Sequence, residues 1–291
     1  MQPPRYIGLA GLGFLGRGIA ACLLEHGFHV IALEPAAAAW QTLPASERLI
    51  RADSAKDLAH CEFIIESISE SFPAKQALFD ELERQVAAAI PITSNTSSIP
   101  ITLLQSQRQH PRRFAGMHWT APAEATRFME IIRGDQTDEV TLNRVAALAT
   151  ELGKAPAIVQ KDIAGFVANR IAYAMYREAI HLLEAGVADV ETIDLLCRHS
   201  LGLWTPICGP FRWIDITGGP ALYAKAMEQI VPTLNNESEV PAIMRRMQQN
   251  DDRGTQNGRG FYAYGPTDGA EWQRLLNKHA LRTWALGEEE V

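Results

Sequence analysis

YIGLAGLGFLGRGIAACLLEHGFHVIALE, residues 6–34, decides how the chain is read. A short apolar run ends in glycine, a helical stretch follows over residues 14–26, and a second apolar run closes on Glu34. Gly11, Gly13 and Gly16, spaced G-x-G-x-x-G with Phe14 and Leu15 between the last two, follow the first run and open the helix. As a bare string that spacing is common. Between a strand and a helix the glycines serve a tight turn, close backbone approach to a pyrophosphate, and a helix N-terminus facing negative charge. Glu34 is placed to accept hydrogen bonds from ribose hydroxyls. The next arginine is Arg48, so NAD is expected rather than its 2′-phosphorylated form. The bland alternative is a glycine turn that only packs helix on strand.

Outward from this segment the pattern repeats. ERLIRA, CEFIIES, IPITS, RFAGMH, RFMEII and APAIVQ read as strands, with helices over PAKQALFDELERQVAAA and residues 138–152. Strands alternating with helices predict a Rossmann-type, mainly parallel α/β sheet. Beyond Lys161 the period becomes helical. AGFVANRIAYAMYREAIHLLEAG reads as one long helix stopped at Gly186, and DVETIDLLCRHSLG as another capped by Asp189. The expected division is 1–161 for an NAD-binding domain and 162–291 for an all-α C-terminal domain that carries substrate and dimer contacts.

The chain has 291 residues, 47% hydrophobic and 21% charged, enough for two domains with a core. Its net charge of -7 argues against nucleic acid or an anionic membrane as main partner. The apolar start is interrupted by Arg17 and by glycines, and no run approaches the roughly 18 residues of a membrane span. Cys22, Cys61, Cys197 and Cys208 form no CxxC pair, which fits reduced residues of a cytoplasmic protein, and no metal site is expected.

A dinucleotide site makes hydride transfer the default chemistry, and alcohol oxidation then needs a proton acceptor near neutral pKa. Of eight histidines, only His118 terminates a strand at the sheet edge where open α/β sheets bind ligands. Glu130 lies twelve positions on, inside an apolar run, and by itself might pair with Arg127 or Arg133 at a surface. Ser97 alone reads as a turn or cap residue, and Asn169 alone as a helix cap or bridge.

GLGFLG at 11–16, SNTSS at 94–98, GMHW at 116–119 with Pro122, MEII at 129–132, GFVANR at 165–170, EAIHLLEAGVADVETID at 178–194, Gly209–Pro210 and GRGFYAY at 258–264 together resemble the 3-hydroxyacyl-CoA dehydrogenase family over nearly the whole chain. The resemblance implies that His118 takes the hydroxyl proton while hydride leaves to NAD. It implies that Glu130 holds the other imidazole nitrogen, that Ser97 hydrogen-bonds the substrate oxygen, and that Asn169 positions that oxygen or its neighbour. It further implies cofactor contacts from Glu70 and Asn95, a hydroxy-acid or acyl-CoA substrate, and a homodimer built largely by the helical domain. Trp119 and Phe166 read as packing residues.

Three departures bear on the substrate. Members acting on CoA thioesters carry a long helical insertion after the second strand, whereas here residues 35–62 must also hold a strand and contain one lysine, Lys56. Ala121 stands where the family has asparagine, and Ala164 where it has proline. Ala164, IPIT at 99–102 and GMHW at 116–119 resemble the branch that oxidises free hydroxy acids, for whose carboxylate Arg127, Arg212 and Arg253 are candidates by position, and esterification to CoA stays open. The competing class is an NAD-binding structural or sensing protein without dehydrogenase activity. A third is a β-hydroxyacid dehydrogenase with a lysine base, for which GFVANR offers no lysine.

Overall fold

The computed structural model describes residues 3–41, 43 and 46–289. Its compact units are residues 1–169 and 170–291.

The first unit is an eight-stranded sheet in the order β3-β2-β1-β4-β5-β6-β7-β8. The strands are β1 (Tyr6–Ala10), β2 (His29–Leu33), β3 (Leu49–Ala52), β4 (Phe63–Glu66), β5 (Ile92–Ser94), β6 (Phe114–His118), β7 (Phe128–Ile132) and β8 (Ala155–Val159). Every pairing is parallel except β6 with β7. The helices are α1 (Phe14–Glu25), α2 (Ala37–Trp40), α3 (Phe72–Gln85), α4 (Ile101–Gln105) and α5 (Glu139–Glu151). Because β2 and β3 extend the sheet to one side of β1 and β4 to the other, the strand order reverses beside the glycine loop. That is the crevice where open α/β sheets take their ligands.

Alternation along the strands divides the core into two clusters, one on each face. Ile7, Leu9, Val30, Met117 and Ile131 pack in one with Leu23 of α1 and Val145 of α5. Ile64, Ile92, Phe114 and Ile132 pack in the other with Phe79 of α3. Asp138 caps α5 by accepting from the Thr141 N–H at 2.8 Å.

The second unit holds the rest of α6 (Ala168–Glu184), then α7 (Val190–Leu196), a π-helical turn at Cys197–Leu201, α8 (Gly202–Trp204), α9 (Pro210–Ile216), α10 (Pro220–Ile230), α11 (Ala242–Gln249) and α12 (Asp268–Glu289). Asp189 caps α7 through the Thr192 N–H, and Gly186 adopts a left-handed φ of 69° after α6. The expected single helix over 164–186 is shorter than its pattern. Gly165 and Phe166 have φ of 77° and 51°, so the chain turns there and the helix begins at Ala168. No described helix is long and apolar enough to cross a membrane.

Candidate active site

β6 and β7 pair with His118 directly opposite Glu130. Opposed residues of an antiparallel pair project to the same face. Their neighbours Met117 and Ile131 belong to the first core cluster, so the histidine and the carboxylate emerge together on the second face. His118 Nδ1 lies 2.9 Å from Glu130 Oε2, both side chains buried. The rings of Phe166 and Phe128 meet the imidazole edgewise at 5.5 and 5.9 Å between centroids. The surface pairing that Glu130 alone might suggest does not occur with Arg133, whose partner is Glu139.

The second oxygen of Glu130 accepts from the backbone N–H of Val167 and of Ala168, each at 3.0 Å. These are free donors at the start of α6, and the left-handed pair Gly165–Phe166 aims them at the carboxylate. A phenylalanine in that conformation costs on the order of 1–3 kcal/mol, which the two charge-assisted hydrogen bonds and its complete burial offset. Burial raises the pKa of Glu130, but the bond from His118 and those from the Ala168 and Val167 N–H outweigh it and hold the carboxyl below its usual range. It is therefore ionised at neutral pH.

Ser97, the expected substrate contact, sits on the loop after β5, and that loop is held by Glu70. Glu70 Oε1 accepts from Thr96 Oγ1 at 2.6 Å, the Ser97 N–H at 3.1 Å, the Ser98 N–H at 2.9 Å and Ser98 Oγ at 2.8 Å. Asn169 Nδ2 donates to the Ser97 carbonyl at 3.1 Å, so the start of α6 is tied to the same loop. Asn95 is occupied at both ends. Its Nδ2 donates to Ser67 Oγ at 3.0 Å and its Oδ1 accepts from the Trp119 N–H at 2.8 Å, which anchors the chain just beyond His118.

Sequence reasoning missed Lys75 and Glu66. Lys75 Nζ lies 2.6 Å from Glu66 Oε1 and 3.4 Å from Glu70 Oε2, and Lys75 and Glu66 are almost wholly buried. Ser94 Oγ donates to Glu66 Oε2 at 2.5 Å. A signal was available: Lys75 shares the i, i+4, i+7 stripe of α3 with Phe79 and Leu82, which are core residues.

Glu70 has a pKa of about 2. Burial works to raise it, but the Thr96 and Ser98 hydrogen bonds and the Lys75 charge prevail. With the folded value depressed, its contribution is complete above the ordinary carboxylate pKa and lost as pH falls towards 2. The Ser97 and Ser98 amides should accordingly keep their hydrogen-exchange protection down to pH about 4 and lose it below. In Glu70→Gln they should exchange on the order of tenfold faster already at neutral pH. Equal protection in that variant would show that Glu70 does not hold the loop.

The glycine loop has the shape a dinucleotide requires. Gly11 has φ of 97°, and side-chain atoms on Gly11 or Gly16 would overlap the carbonyls of Ser67 and Gly11 respectively. Around Gly13, by contrast, a Cβ would meet nothing within 4 Å. Phe14 is exposed and Leu15 half-buried beside it. Glu34 Oε2 accepts from the Leu12 N–H at 2.9 Å and Oε1 from the Ala36 N–H at 2.8 Å, placing an acidic group at the loop. An open cradle at the middle glycine, a helix N-terminus behind it and a carboxylate beside it fit NAD. Gly13→Ala should therefore fold with a Tm within about 2 °C of wild type and raise the NAD Kd at least ~10-fold. Unchanged affinity in calorimetry would place the pyrophosphate elsewhere.

Comparison with known proteins agrees with this geometry. The family model for the 3-hydroxyacyl-CoA dehydrogenase NAD binding domain matches residues 41–163, and the model for the C-terminal domain matches residues 165–264. A 5-formyl-3-hydroxy-2-methylpyridine 4-carboxylate 5-dehydrogenase of Mesorhizobium japonicum is 29% identical over 98% of this chain and 99% of its own length. A probable 3-hydroxybutyryl-CoA dehydrogenase of Deinococcus radiodurans is 37% identical over 72% of this chain and 74% of its own. The crystal structure of a 5-dehydrogenase for that pyridine carboxylic acid, described as an NAD+-dependent dismutase, has a TM-score of 0.91 at 27% identity, covering 99% of this chain and 100% of that one. An (S)-3-hydroxybutyryl-CoA dehydrogenase from Ralstonia eutropha has a TM-score of 0.73 at 30% identity, covering 90% and 100%.

Proposed function

Because the chain belongs to the 3-hydroxyacyl-CoA dehydrogenase family, we propose that its substrate is a free hydroxy acid rather than a CoA thioester. It is an NAD-dependent oxidoreductase acting on a CH–OH group, and its buried His118–Glu130 pair matches a catalytic dyad. One observation carries the choice of substrate. The crossover from β2 to β3 contains the four-residue helix α2 and no other described helix, so it offers no helical arm for a CoA nucleotide. The full-length likeness to the pyridine carboxylate dehydrogenase supports the same reading.

Pairing with an ionised carboxylate assigns the imidazole proton to Nδ1 and leaves the Nε2 lone pair to accept the hydroxyl proton. NAD supplies the hydride acceptor. Nε2 would take the hydroxyl proton while the C–H electron pair left as the hydride that bound NAD would accept, leaving the carbonyl. Glu130 steadies the imidazolium, and the Phe166 and Phe128 rings keep its orientation. Ser97 donates to the substrate oxygen, and Asn169 sets the height of the Ser97 backbone. Gly11, Gly13, Phe14, Leu15, Gly16 and Glu34 would hold the pyrophosphate and adenosine ribose of NAD, and Glu70 and Asn95 would shape the nicotinamide end.

We assign residues 1–161 to NAD binding and 162–291 to substrate and dimer contacts. A homodimer is supported by the second unit itself: no described residue from 170 to 283 is buried, and Tyr173, Leu203 and Phe211 are exposed. A reducing cytoplasm suits the four free cysteines.

The test is initial-rate NADH absorbance on paired substrates, each hydroxy acid free and as its CoA thioester. The free acids, pyridine and aliphatic 3-hydroxy acids among them, should show at least ~10-fold higher kcat/KM. Preference for the thioesters would overturn the assignment.

A further inference from the structure

The family match ends at residue 264, yet the chain continues into α12, a further helix of 22 residues. This helix is oriented the wrong way round for a chain standing alone. Gln273, Asn277 and Ala280 form the row that is half-buried, while Trp272, Leu275 and Leu276 are 54%, 46% and 52% exposed. An amphipathic helix that turns amides inward and a tryptophan–leucine face outward is built to meet a second surface.

A surface of that kind lies in the same unit. A groove of about 760 Å³ is lined by Tyr176, Ile180, Leu183, Met244, Met247 and Phe261, and no described residue beyond Tyr264 lines it. Asp194, Asp251 and Asp252 also border the groove. Asp251 has Arg253 at 3.3 Å, an exposed pair that solvent screens, and the half-buried Asp252 has the exposed Arg259 at 3.4 Å. Between residues 271 and 283, α12 carries Arg274, Lys278 and Arg282 against the single acid Glu271. The basic, apolar middle of α12 thus matches an apolar groove bordered by three aspartates and one arginine, Arg253.

Its own α12 does not occupy that groove. The helix is pinned at its start, where the Gly265 N–H donates to Asp268 Oδ2 at 2.7 Å and Gly269 sits against Thr255. Arg253 and Gly254, just before Thr255, and Tyr264, just before Gly265, are themselves part of the groove wall. A helix that begins at the rim and rises about 1.5 Å per residue leaves the groove unless it breaks. From Ala270 to Thr283 it contains neither glycine nor proline.

We propose that α12 of one copy lies in this groove of a second copy and that the exchange is reciprocal about a two-fold axis. Such an isologous contact buries both apolar faces twice over. The proposal rests on the homodimer reading and adds to it the element that makes the contact.

Two variants test it, each measured as the full-length chain. Light scattering after gel filtration should give a dimer for wild type, and Leu275→Glu/Leu276→Glu should raise the dimer Kd at least ~100-fold while helical circular dichroism is kept. In a Cys197→Ser/Cys208→Ser background, Met247→Cys with Leu276→Cys should give, on mild oxidation, a disulfide-linked species of twice the chain mass. A dimeric double-glutamate variant, or a disulfide formed within one chain, overturns the exchange and leaves the homodimer standing. A monomeric wild-type protein overturns both.

Discussion

His118→Gln should lose between two and four orders of magnitude in kcat while binding NAD with unchanged Kd. General-base catalysis by a positioned side chain accounts for about 10²–10⁴ in rate, and no other described group pairs a titratable nitrogen with Glu130. Glutamine is the informative replacement. Its side-chain NH₂ can still donate to Glu130 Oε2, so the buried carboxylate keeps a partner and the fold is not itself on trial. The Val167 and Ala168 bonds to Oε1 are untouched, which preserves the start of α6. NAD affinity should hold because the glycine loop follows β1, and β4 and β5 stand between β1 and β6 in the sheet order. Stopped-flow NADH formation and NAD titration on the same preparation separate the two effects. A variant that turns over at the wild-type rate would falsify the base assignment.

Lys75→Met should be the most destabilising single change in the first unit, costing about 3–5 kcal/mol, because it strands Glu66 in the core without its cation. At roughly 2–4 °C per kcal/mol for a chain of this size, Tm should fall by about 10 °C or more. The loss should depend on pH in a defined direction. Burial already pushes the Glu66 carboxyl up, with Lys75, Ser94 and the Ile68 N–H pulling against it. Without Lys75 the folded state binds a proton that the unfolded state has released, so stability falls as pH rises through the folded pKa. The deficit should therefore be smallest near the ordinary carboxylate pKa of about 4.3 and largest above neutrality. Pairing the change with Glu66→Gln should recover part of the loss, since no charge is then left unpartnered. Melting curves from pH 4 to 8 decide it, and a deficit that does not vary with pH would mean that the lost packing of the lysine stem, not the stranded carboxylate, sets the cost. Activity should fall as well, through Glu70 and the Ser97 loop that Lys75 steadies.

The strands, their parallel run and the glycine loop were legible because each depends on short-range rules. Apolar runs of strand length, glycines at a fixed spacing and an acid at the end of the next strand need only a few neighbouring residues to be recognised. The helical pattern over 164–186 outruns the helix for the same reason: its residues are helical in period, but the left-handed Gly165–Phe166 turn is held from outside by Glu130. Lys75 escaped notice because a lysine in an amphipathic helix normally faces water. Its burial depends on two acids brought to it by β4 and the loop beyond.

By itself, then, the sequence determined an NAD-type α/β domain followed by helices, and it singled out His118 as the histidine at a strand end. Only the tertiary structure decided that His118 and Glu130 are cross-strand partners on one face, since a register slip of one residue would have sent them to opposite faces. It alone decided that Glu130 serves both the imidazole and the start of α6, and that Glu70 gathers the serine loop around one carboxylate oxygen. Register, burial and the convergence of donors from distant segments are properties of the folded sheet, and no local pattern of residues encodes them.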